Sequence, residues 1–109
     1  MPEAKIIVLY PQPRDTATFE RDYADDHVPM VTPQGFPGLT KFVASKVVAT
    51  PGGGTPAFHR VAELHFPSMQ ALQHAAVSES AQKVVGHAVT ISTGGMPVVL
   101  ITEEETTTF

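Results

Sequence analysis

The chain has 109 residues and a mass of 11.7 kDa with 42% hydrophobic residues, a size that folds as one domain around one modest core. Seven Lys and Arg against eleven Asp and Glu give a net charge of −4 with no basic run, which argues against nucleic acid as a partner. The absence of cysteine removes disulfides, thiolate nucleophiles and cysteine-based metal sites, so any chemistry falls to the five histidines and the carboxylates.

In chain order, Ala4 to Tyr10 is β-branched and apolar and is closed by Pro11 and Pro13, as in a buried strand. Asp15 can cap a helix in which Phe19, Tyr23 and His27 recur every four residues until Pro29. The turn cluster Pro33 to Gly38 leads into a strand over Leu39 to Ala49. The flexible stretch Thr50 to Pro56 joins it to a third strand, Phe58 to Phe66, as a hairpin. Ser68 can cap a helix with Met69, Leu72 and Ala76 on one stripe, and Ser80 a short successor ending at Gly86. Pro97 to Thr102 reads as the last strand, and residues from about 103 to 109 as a solvated, mobile tail of the single domain 1–109. The order is βαββαβ, which predicts an α+β ferredoxin-like fold with a four-stranded antiparallel sheet.

Strand parity adds a second expectation. Ile6 and Val8 face one side of the first strand while Ile7 and Leu9 face the other, and the last strand repeats the pattern with Val98 and Leu100 against Val99 and Ile101. Two helices cover one side of a sheet, so the other side is expected to meet a second subunit, giving a homodimer through the sheet faces. No apolar run is long enough for a membrane span, and the first residues lack signal-peptide character. The expectation is a soluble, cytoplasmic protein with no membrane partner.

Several motifs together resemble the EthD family within the dimeric α/β-barrel superfamily. They are Leu9-Tyr10-Pro11 at a strand exit, Phe19 and Tyr23 leading to His27-Val28-Pro29-Met30, Pro37-Gly38-Leu39 opening the second strand, and Ala62-Glu63-Leu64-His65-Phe66. The resemblance spans Ile6 to about Leu100. It implies a dimeric α/β barrel, an association with fuel-ether degradation, and a label of reductase that some members carry. The superfamily also includes isomerases, polyketide cyclases, monooxygenases and decarboxylases, so the fold does not name a reaction. Ala75 and Ala81 stand where the similar plant polyketide cyclase has its catalytic pair, so that mechanism is not carried over.

His27 falls on the buried side of its helix, about 40° from Tyr23 at about 100° per residue. At a last helical turn the dipole favours its protonated form and burial opposes it, which predicts titration near neutrality. His27 is the candidate catalytic proton carrier, and its position matches the histidine of the resemblance. Tyr23 shares its stripe. Arg60 has the parity of Ala62 and Leu64, and by resemblance it projects into the same cleft as His27. Tyr23 and Arg60 are therefore the expected partners that steady negative charge. Glu63 is expected on the opposite face, partnered by a strand lysine.

His59 and His65 lie about 20 Å apart on a strand, too far to share a metal ion. His74 is expected to be exposed, and His87 to lie in a loop after Gly86. Gly52-Gly53-Gly54 precedes no helix and so lacks a dinucleotide-binding context. Neither a cofactor nor a metal is expected. The ligand expected is a small apolar organic molecule, bound either for cofactor-independent proton transfer of isomerase, decarboxylase or oxygenase type, or without turnover.

Overall fold

The computed structural model describes residues 2–109. Its elements are β1 (Ala4–Pro11), α1 (Thr16–Asp22), β2 (Lys41–Lys46), β3 (Phe58–Phe66), α2 (Met69–Ala76), α3 (Glu79–Ile91) and β4 (Val98–Glu103). The strands form one antiparallel sheet in the order β2-β3-β1-β4. This is the ferredoxin-like α+β arrangement that the order of elements predicts. Among the described residues no helix is long and apolar enough to cross a membrane.

The two central strands carry the core. Ala4 and Ile6 of β1 pack with Ala62, Leu64 and Phe66 of β3 against Leu72 and Ala75 of α2 and Ala81 and Val84 of α3. A second cluster joins Tyr10, Phe19 and Tyr23 to Ala88 and Ile91. Local signals start each helix: Asp15, Ser68 and Ser78 accept hydrogen bonds from the backbone N–H groups of Thr18, Ala71 and Ala81. On the opposite face, Lys5 Nζ donates to Glu63 Oε1 at 2.9 Å, the lysine partner that this carboxylate requires.

β2 and α3 differ in their bounds from the sequence reading, and β3 differs in its register. β2 is shorter than Leu39 to Ala49. Its ladder is extended only by the Thr40 and Val47 N–H groups, and Val48 is already 85% exposed at the start of the glycine loop. α3 starts from Ser78 rather than Ser80 and runs through Gly86 to Ile91, because the buried stripe of Ala81, Val84, Ala88 and Ile91 outweighs one helical glycine at about 1 kcal/mol. His87 therefore lies on a helix and not in a loop. In β3 the register slips: Tyr10 pairs with Arg60 but Pro11 with Phe58, leaving His59 as an extra residue. This bulge turns His59 toward α1, where its ring meets Phe19 at 5.5 Å, whereas simple alternation assigns it to the other face.

The link into β4 presses on the end of β1. A Cβ built on Gly94 would lie 1.7 Å from the Gln12 carbonyl oxygen, whereas one on Gly86 meets no described atom within 4 Å. Gly94→Ala should lower stability by about 2 kcal/mol or more, because backbone must move. Gly86→Ala should raise it by about 1 kcal/mol through helix propensity. Denaturant midpoints of the two variants check both signs.

Candidate functional site

The site begins with an irregular helix exit. After Asp22 the chain passes into a π-helical turn, Tyr23–His27, closed by the Val28 N–H to the Tyr23 carbonyl, and then into a 3₁₀ turn, Val28–Met30, with Pro29 in its first turn. In an α-helix a four-residue spacing overshoots one turn by about 40°. In a π-turn, with five-residue hydrogen-bond steps and about 4.4 residues per turn, it undershoots by about 30°. The two errors cancel. Phe19, Tyr23 and His27 consequently form a straight column, with ring centroids 5.6 Å and 5.8 Å apart and interplanar angles of 13° and 24°.

His27 is 4% exposed and uses both ring nitrogens. Nε2 lies 3.2 Å from the Tyr10 hydroxyl, and Nδ1 lies 2.9 Å from Nδ1 of His87 on α3. The His27 and His87 centroids are 5.2 Å apart with planes within 15°. That separation matches the N···N distance plus two ring radii, so the rings meet edge to edge, nearly coplanar.

Burial, reinforced by the neighbouring His87, pulls the His27 pKa down to about 4. This corrects the expectation of titration near neutrality. The helix continues past His27 through Met30, so no free helix end stands beside the ring to favour its cation, and desolvation wins. Burial also raises the phenols, Tyr10 strongly and Tyr23 to about 12, so both are neutral O–H groups at neutral pH.

His27 and Tyr10 face a small cavity of about 30 Å³, otherwise walled by apolar side chains such as Val8, Phe36 and Val84. Val8, Phe36, Leu64, Val85 and Ala88 also line a larger neighbouring groove of about 130 Å³. The groove runs beneath α3 to Pro97, Val99 and Ile101 at the β4 edge. Its volume approaches the roughly 150 Å³ cavity known to accept benzene.

Tyr23 and Arg60 do not line this space, contrary to their expected place. Arg60 is held by Glu20, donating from Nε at 3.0 Å and Nη2 at 2.7 Å, and its guanidinium lies 5.1 Å from the centre of the Tyr23 ring. A guanidinium beside an apolar cleft needs a counter-charge, and α1 supplies one. The same pair holds the Glu20 carboxyl below its ordinary pKa. His59 Nε2 lies 3.3 Å from Glu20 but out of line for a hydrogen bond. Tyr23 Oη is buried with no hydrogen-bond partner among the described residues. His74 is exposed, as expected, and His65 lies beside Glu63 on the opposite face.

Sequence reasoning missed two members of the site. Tyr10 follows Ile6 and Val8 in the alternation of β1, which was signal enough to place it on the helix side. His87 stands one residue before the buried Ala88, a signal hidden by ending the helix at Gly86. Among the described residues no group of three or more His, Asp or Glu side chains is placed to hold a metal ion.

No family model matches the sequence. An uncharacterized 11.0 kDa protein encoded in the thcB–thcC intergenic region of Rhodococcus erythropolis is 30% identical over 102 residues, 94% of this chain and 95% of that one. An EthD-family protein from Bacillus halodurans has 26% identity and a TM-score of 0.84, over 94% of this chain and 99% of the other. An EthD-like protein from Ralstonia eutropha gives 24% and 0.73 over 94% and 92%. A dimeric ferredoxin-like protein from Jannaschia gives 20% and 0.69 over 94% and 99%. In sequence and fold the chain is similar to EthD-family proteins, and it has the ferredoxin-like fold.

The depressed His27 value has a defined consequence for stability. A folded value of about 4 against an ordinary 6.5 means that the unfolded chain binds the proton more readily. The contribution is therefore present above about pH 6.5 and is lost as pH falls toward 4, on the order of 2 to 3 kcal/mol in all. His27→Gln, which cannot titrate, should lack this component. The difference between wild type and variant, measured by denaturant unfolding from pH 7 to pH 4, should change by that amount. The comparison cancels Glu20 and Glu63, whose lowered values act at lower pH.

Proposed function

We propose that this protein binds a small apolar organic molecule in the groove beneath α3 and uses His27 to transfer a proton to or from it without a cofactor. The observation that carries this reading is a neutral imidazole, held between Tyr10 and His87, in the wall of a small cavity that shares apolar residues with the larger groove. A neutral imidazole is both acceptor and donor, and in an apolar enclosure it can move a proton without a standing charge. Tyr23 and Arg60 serve as positioning residues: Glu20 fixes Arg60, Arg60 lies over Tyr23, and Tyr23 backs the His27 ring.

A mass-spectrometric search for co-purified molecules, followed by turnover tests on the one found, is the direct experiment. His27→Ala should abolish turnover while the fold remains; full activity in a stable variant would remove the residue from the mechanism. Ala88→Leu, which adds bulk at a residue lining both the cavity and the groove, should weaken binding of an apolar probe such as indole at least tenfold in NMR titration.

The sheet faces support a homodimer. Ile7, Leu9, Val61, Val98 and Leu100 share the side away from the helices, and Val98 and Leu100 are 38% and 44% exposed in the single chain. The dimeric state of the Jannaschia relative favours the same reading. Sedimentation at micromolar concentration should give twice the 11.7 kDa chain mass. Leu100→Glu should return the monomer.

A further inference from the structure

We propose that Tyr10, His27 and His87 form a proton relay with its solvent end at His87. In this scheme the groove takes a weak carbon or oxygen acid that loses a proton at one atom and regains one at another. This deepens the proton-transfer reading of the same groove and rests on it.

The geometry sets the direction of the chain. Tyr10 Oη is buried and has His27 Nε2 as its partner at 3.2 Å; a phenol is the better donor of such a pair, so Nε2 accepts. Nδ1 of His27 then carries the hydrogen and donates to Nδ1 of His87 at 2.9 Å. His87 must therefore be the tautomer with hydrogen on Nε2. His87 is half-buried, whereas His27 and Tyr10 are 4% and 1% exposed, so the chain leads from the cavity wall toward water. The coplanar, edge-to-edge meeting of the imidazoles aligns the shared hydrogen with both lone-pair directions.

In the forward passage a C–H or O–H bond of the ligand breaks, its electron pair staying on the ligand, and the Tyr10 oxygen takes the proton as its own O–H hydrogen moves to His27 Nε2. The Nδ1 hydrogen of His27 moves to His87 Nδ1, and the Nε2 hydrogen of His87 leaves to water. Every protein group ends neutral, with both imidazoles in the inverted tautomer. The return passage resets the chain. Water protonates His87 Nε2, the hydrogens step back through His27, and Tyr10 protonates the ligand anion at its second atom. An isomerisation restores the starting state in one cycle.

The relay is tested without a ligand, by long-range proton–nitrogen NMR of the ¹⁵N-labelled protein at pH 7. The expected spectrum has hydrogen on Nδ1 of His27 and on Nε2 of His87; hydrogen on Nε2 of both rings would overturn the proposal. Tyr10→Phe, which keeps the ring and removes the donor, should shift the tautomer populations of His27 and His87 together, and an unmoved His87 counts against the relay. His87→Asn keeps an acceptor near the Nδ1 position but cannot pass a proton onward. It should slow exchange of the His27 Nδ1 hydrogen with water at least tenfold, and unchanged or faster exchange would refute His87 as the solvent end. These readings stand apart from ligand capture, so failed binding and a failed relay are told apart.

Discussion

A helix with its side chains is about 10 Å wide and strands lie about 4.8 Å apart, so each helix covers about two strands, and cover of a four-stranded sheet depends on where the helices sit. The helices settle over β1 and β3, whose inward residues are the most apolar and central, and β4 is left uncovered on the same face: Val99 and Ile101 are 47% and 57% exposed. The groove follows from this placement. It needs no special carving, only a helix layer that stops short of the edge strand, and its apolar lining is the residual core of a strand that no helix reaches.

What makes that residual space a site is the polar wall of the neighbouring cavity. A straight α-helix would carry His27 progressively around from Phe19, and the π-turn brings it back into line. The column Phe19, Tyr23, His27 then delivers the imidazole to the junction of β1 and α3, where Tyr10 and His87 meet it from two other elements. Such a turn forgoes regular α-helical hydrogen bonding, and it sits where the side-chain chemistry is concentrated.

The legibility of the molecule in its sequence divides along the same line. Features set by local rules were readable: the bounds of β3, the caps Asp15 and Ser68, the order of elements, the buried side of α1. Features set by competition between local and tertiary terms were not. Gly86 looks like a helix end until the buried stripe on both sides of it is weighed. The extra residue at His59 inverts strand parity at one point only, and alternation gives no sign of it. Arg60 illustrates the third kind of difference: its direction toward α1 was legible, but its destination depended on a counter-charge at Glu20, forty positions away, which takes the guanidinium before any ligand can.

The electrostatics of the groove then constrain its chemistry. A permanently charged base or acid in the cavity wall would face apolar side chains and cost several kcal/mol in desolvation. The Arg60–Glu20 pair lies beside the Tyr23 ring and does not line the cavity, so among the described residues the polar side chains at the cavity are neutral: a phenol and an imidazole whose burial suppresses its cation. Neutral groups joined in series transfer a proton by exchanging hydrogen-bond roles, so charge need not rest on the protein side chains that wall the apolar space. The features that make His27 a weak stand-alone base, burial and a histidine neighbour, are therefore the ones that suit it to hand a proton onward.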